Sequence, residues 1–158
     1  MIVSSMNNQT MSELDKKILR ALNNDGRKSF RKVAKQIKTS QTSIYNNIKK
    51  LEKMGIIKGY IPLFDEKAIG NKCVALISLR TTQGKWRELS AEVAKYPQVR
   101  AIYDITGDFD FVCVCYFSDQ ECLDRFLKNQ LQSPFIERVL TNVVLNVYKD
   151  DRRSILPD

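Results

Sequence analysis

Apolar residues in the first third of the chain recur at helical intervals. Leu14, Ile18, Ala21 and Leu22 form one stripe, Phe30, Val33, Ala34 and Ile37 a second, and Ile44, Ile48 and Leu51 a third, the spacing that lines up side chains on one face of an α-helix. Ser12, with Asp15 three residues on, is an acidic variant of a capping box and opens a helix over about 13–24. Asn23 to Gly26 make a turn, Ser29 caps a short second helix, Thr39 and Ser40 offer a cap to a third, and Gly55 stops it. Only a tight turn separates the second and third helices. That is the helix-turn-helix arrangement, in which the second member of the pair is the one shaped to enter a major groove. Ile56 to Pro62 then reads as a short strand leaving the helices as a wing or hinge.

Beyond Pro62 and the Asp65, Glu66, Lys67 cluster the period changes to two. Val74 to Arg80 reads as a central strand, Trp86, Leu89, Val93 and Ala94 as a helix ended by Tyr96 and Pro97, and Val99 to Phe117 as a hairpin turning at Gly107. A second helix over Glu121 to Leu131 buries Cys122, Leu123, Phe126 and Leu127, and Val139, Val143, Leu145 and Val147 alternate in a last strand. The fold class is therefore α+β: a winged helix-turn-helix of three helices plus a short strand, followed by a βαββαβ ferredoxin-like domain. The expected boundaries are a flexible tail over 1–11, the helix-turn-helix domain over 12–58, a linker over 59–71, the βαββαβ domain over 72–150 and a C-terminal tail over 151–158. Helices cover only one face of such a sheet, so the other needs a partner, which predicts dimerisation sheet on sheet.

Charge sharpens the division. Residues 1–58 hold thirteen Lys or Arg against four acids, +9, while the remainder holds thirteen against fourteen, −1. A basic third joined to a near-neutral remainder points to one part made for a polyanion. The third helix carries Ser40, Gln41, Thr42, Tyr45, Asn46, Asn47, Lys49 and Lys50 on and beside its polar face, and Arg27, Lys28 and Arg31 flank the second helix. Gln and Asn can pair with adenine edges, Thr and Tyr reach phosphate or a thymine methyl, and the cations suit phosphate. Double-stranded DNA is the expected partner.

The chain has no histidine and four cysteines, two of which, Cys113 and Cys115, alternate in an apolar strand. That removes the commonest general base and metal ligand and makes the thiols core residues, so no enzyme, metal or cofactor is expected. A catalytic cluster of Asp104, Asp108, Asp110 and Cys113 or Cys115 would need an acid/base pair or a hard-metal site, and the sequence offers no second carboxylate cluster elsewhere to complete one. An RNA-binding reading of the βαββαβ domain is opposed by Asp108 and Asp110, which stand where stacking rings would need basic neighbours. No apolar run reaches the roughly 20 residues of a spanning helix, and the polar opening stretch lacks signal-peptide order, so the expected location is cytoplasmic and away from membranes.

The stretches LDKKILRALNNDGR (14–27), TSQTSIYNNIKKLEKMGIIKGY (39–60), ITGDFDFV (105–112) and LTNVVLNVYK (140–149) together resemble the Lrp/AsnC family of prokaryotic transcription regulators, with the likeness covering 12–149. The resemblance implies a sheet-paired homodimer, often assembled into tetramers or octamers, and an amino-acid effector between dimers. It places that effector against Ile105, Thr106, Gly107, Asp108 and Asp110, with Thr141 completing the site. Gly107 allows close backbone approach and the carboxylates can accept from an ammonium. Asn46 and Asn47 stand where many members carry arginine. An architectural protein coating DNA without an effector is the competing reading.

Overall fold

The computed structural model describes residues 11–82 and 84–156; all of the expected N-terminal tail except Met11 lies outside them. The described chain divides into two compact units, residues 11–62 with 150–156, and residues 63–149.

The first unit is built on α1 (Glu13–Asn24), α2 (Phe30–Ile37) and α3 (Gln41–Lys53). Each opens on a serine whose hydroxyl accepts a backbone N–H: Ser12 from Asp15, Ser29 from Lys32 and Ser40 from Ser43. These caps satisfy donors that the first helical turn leaves unpaired. Lys38 takes the left-handed conformation (φ 60°) after α2, and Gly55 (φ 70°) does so after α3, where it follows the last turn at no side-chain cost. Ile18, Ala21, Val33, Ala34, Ile44, Ile48 and Leu51 are buried together, so each predicted stripe supplies this core. The strand expected over 56–62 has no ladder partner among the described residues and runs as turn and open chain. An extended segment becomes a strand only when a neighbour takes its N–H and C=O groups, and this unit provides none.

The tail expected over 151–158 returns to this unit instead of trailing. Asn23 donates from Nδ2 to the Ser154 carbonyl (2.8 Å) and accepts the Ser154 N–H on Oδ1 (3.0 Å). One amide side chain thus mimics a step of a β-ladder. Beside it, Leu156 is half-buried and Ile155 exposed, and Leu19, Leu22 and Ile57 line the same hollow as Leu156.

The second unit contains β1 (Cys73–Thr81), α4 (Trp86–Val93), β2 (Val99–Asp104), β3 (Phe111–Phe117), α5 (Gln120–Arg125) continued by a π-helical turn (Phe126–Gln130), and β4 (Ile136–Val143). The strands form one antiparallel sheet in the order β2-β3-β1-β4. Cys73, Ala75, Ile77 and Leu79 on β1 and Phe111, Cys113, Cys115 and Phe117 on β3 face Leu89, Val93, Leu123 and Phe126 from the helices. The opposite face is apolar and open: Leu76, Tyr103 and Leu140 are exposed, and Val112 and Val114 are half-buried between them. β1 is central, yet this chain buries only one of its faces. β4 ends at Val143, short of the expected Val147: Ala75 pairs with Val143, the Val144 N–H still reaches the Val74 carbonyl (2.8 Å), and Leu145 and Val147 beyond it are exposed.

Candidate nucleic-acid interface and effector hairpin

Two parallel stripes leave the outer surface of α3. Gln41, Tyr45 and Lys49 form one and Thr42, Asn46 and Lys50 the other, each at i, i+4, i+8. All six are exposed. The side chains of Gln41, Thr42 and Asn46 make no hydrogen bond among the described residues, so their polar ends are free for a ligand. The Tyr45 ring meets Phe30 edge to face at 6.0 Å, which directs its body along α2. Arg27 and Arg31 are exposed without ion-pair partners among the described residues, whereas Lys28 bonds Gln36 (2.9 Å).

Three expected contacts are otherwise engaged. Ser40 spends its hydroxyl on the helix cap (3.0 Å from the Ser43 nitrogen), and Asn47 turns back to donate to the Ser43 carbonyl (2.8 Å). Lys50 reaches across to α1, where its ammonium lies 2.9 Å from Asp15 Oδ2. Asp15 was read from the sequence only as half of a capping box. It holds that role, accepting the Ser12 N–H at 3.0 Å, and its side chain is 0% exposed. Burial pushes the Asp15 carboxyl up, but the Lys50 ammonium and the Ser12 N–H and hydroxyl outweigh it and hold the acid below its ordinary range. Lys49 instead pairs with Glu52 on its own helix (2.8 Å), both partly solvated, an exchangeable contact of little net value.

In the second unit the β2–β3 turn is closed by Ile105 donating to Asp110 (3.0 Å) and tied to β1 by the Asp110 N–H to the Leu79 carbonyl (3.0 Å). Ile105, Thr106, Gly107 and Asp108 are exposed, and Gly107 sits at φ 115° with nothing within 4 Å of where a Cβ would stand. Asp110 is structural: its Oδ2 accepts both the Thr81 N–H (2.7 Å) and the Thr81 hydroxyl (2.8 Å). The exposed carboxylate of the turn is that of Asp108. Thr141 lies opposite Ile77 inside β4, four residues along β1 from Thr81, or about 13 Å at the strand rise; one chain does not bring it to the turn. The residue β4 does bring is Arg138, whose guanidinium stands 5.5 Å over the Phe109 ring. Sequence reading passed over Arg138 and Thr81 because the link from Thr81 to Asp110 spans 29 residues and only strand register reveals it.

Among the described residues no group of three or more metal-ligating side chains exists, and no helix is long and apolar enough to cross a membrane.

A basic three-helix unit with an open recognition face, joined to an antiparallel βαββαβ unit, defines a two-domain transcription regulator. Residues 11–58 match the winged helix-turn-helix DNA-binding family and residues 74–154 the Lrp/AsnC ligand binding domain. The chain is 37% identical over 143 residues to a helix-turn-helix transcriptional regulator of Pyrococcus abyssi, covering 90% of this chain and 97% of that one. It is 33% identical over 140 residues to the regulator FL11 of Pyrococcus horikoshii, covering 89% and 93%. The chain belongs to the Lrp/AsnC family of transcription regulators. Its fold is that of Escherichia coli AsnC (TM-score 0.85, 24% identity, 94% and 99% covered) and of a Neisseria meningitidis regulator solved as an L-Met complex (TM-score 0.86, 23% identity, 93% and 97% covered).

Proposed function

We propose that this regulator binds a defined operator as a homodimer, paired through the open face of its effector-domain sheet and capable of further assembly, with two α3 helices meeting half-sites about one helical turn, roughly 34 Å, apart. The observation that carries this reading is the set of polar side chains with no hydrogen bond among the described residues, Gln41, Thr42 and Asn46, on a strongly basic unit. Base contacts come from these residues with Tyr45, and phosphate contacts from Arg27, Arg31 and Lys49. An amino acid is the effector, as in the L-Met complex of the Neisseria regulator. The exposed turn at Gly107 supplies backbone N–H groups, Asp108 faces the ammonium, and Arg138 stands ready for the carboxylate. Binding there shifts the assembly among states with different operator reach.

Operator selection followed by footprinting tests the first half: a discrete palindromic footprint supports control, and even coverage of any duplex supports an architectural role instead. A thermal-shift screen against the twenty amino acids tests the second, since a ligand of the folded state raises Tm. A selective rise lost in Asp108→Ala is expected; no rise with any amino acid at millimolar concentration removes the effector reading.

A further inference from the structure

We propose that Asp15 is a positioning residue of the recognition helix, which withholds Lys50 from the DNA and so fixes the direction in which Thr42 and Asn46 point. This rests on α3 being the DNA-reading helix. Thr42, Asn46 and Lys50 share one stripe, and Lys50 ends it on a carboxylate 35 residues away that has no solvent exposure. The stripe of Gln41, Tyr45 and Lys49 ends differently, on a lysine whose carboxylate partner Glu52 is itself solvated. Two adjacent cations of the same helix are thereby given opposite duties. A phosphate can take Lys49 from Glu52 at little cost, because water already screens that pair. Taking Lys50 would leave the Asp15 charge buried without its cation, and burying an unpaired charge is among the costliest changes a core can suffer.

The Asp15 carboxylate has no spare partner to fall back on. Oδ2 accepts from both Ser12 and Lys50, while Oδ1 is buried and has no hydrogen bond among the described residues. A half-satisfied buried carboxylate is poor material for stability alone; here it ties α1 to the C-terminal half of α3. Rotation of α3 about its axis is what aims Asn46 at a base edge, and a tether on the same stripe one turn away resists that rotation.

The test is the salt dependence of binding, measured by fluorescence anisotropy on the selected operator and on a random duplex, for wild type, Lys49→Ala, Lys50→Ala, Asp15→Ala and the double variant Asp15→Ala with Lys50→Ala. Each phosphate contact contributes about 0.9 to the slope of log K against log salt. Lys49→Ala is expected to flatten the slope by that amount, whereas Lys50→Ala leaves it unchanged and lowers the preference for operator over random duplex about tenfold. Asp15→Ala frees Lys50 and steepens the slope by about 0.9, and the double variant returns it to the wild-type value. A Lys50→Ala slope as flat as that of Lys49→Ala overturns the proposal, as does an Asp15→Ala slope no steeper than wild type. Should either Asp15→Ala or Lys50→Ala fail to fold, shown by loss of its thermal transition, the double variant, which leaves no buried charge unpaired, decides: a slope equal to wild type supports the proposal and one flatter by about 0.9 overturns it. If wild type binds neither duplex, the DNA-binding reading itself fails, which is a separate result.

Discussion

At the scale of single residues, burial decides which chemical groups remain available. Cys113 and Cys115 face the helices from β3, and burial pushes both thiols up to about 12, with the neighbouring Cys113 adding to the effect on Cys115. In the unfolded chain these thiols ionise near 8.5. A group whose folded value lies above its unfolded one binds its proton more tightly in the native state, so its stabilisation is intact below the unfolded value and drains away as pH rises toward the folded one. Thermal denaturation is therefore expected to show stability falling between about pH 8.5 and pH 12, with a shallower fall in the Cys113→Ala, Cys115→Ala double variant. The same burial makes half-buried Cys122 the first thiol to be alkylated by iodoacetamide in the native protein; equal labelling of Cys113 by mass spectrometry would show that β3 opens readily.

Among the elements, the helices were the most legible and the effector turn the least. Ser12, Ser29 and Ser40 announce their helices because capping is a contact between residues three apart, and the apolar stripes of α1 to α3 are the core itself. The Gly107 turn was equally visible as a turn, but the duties of its two acids were not. Asp108 and Asp110 are alike in sequence, and only the antiparallel register of β1 and β3, which places Leu79 against Phe111, brings Thr81 to Asp110. The far end of β4 is illegible for a related reason: Leu145 and Val147 continue the alternation, but the chain leaves the sheet after Val144 and both side chains are exposed. Asp110→Ala leaves the largely buried Thr81 N–H without its acceptor, a loss of about 1–3 kcal/mol. It should lower Tm with or without effector, whereas Asp108→Ala should leave the Tm of the free protein near that of wild type. Equal Tm values for the two variants would show that the Thr81 anchor carries no weight.

For the molecule as a whole, the asymmetry of the sheet is the consequential feature. Leu76, Tyr103 and Leu140 are 37%, 58% and 41% exposed on a face that no helix covers, an apolar surface of the kind that associates. Under the proposed sheet-paired dimer, placing a charge on this face, as in Leu140→Lys on the edge strand β4, is expected to yield a monomer in sedimentation analysis while leaving the far-ultraviolet circular dichroism unchanged. Operator affinity should drop with it, because one recognition helix cannot span two half-sites. A variant that still sediments as a dimer would place the subunit contact elsewhere.

The reciprocal bond between Asn23 and Ser154 bears on how this protein can be taken apart. The DNA-binding unit is discontinuous in sequence, so a fragment ending at residue 62 lacks one of its own pieces, and a fragment beginning at residue 63 carries an orphaned one with Ile155 and Leu156 uncovered. A reporter group attached next to Ser154 would likewise sit beside α1, and its signal would follow the helix-turn-helix unit rather than the sheet that precedes it in the chain.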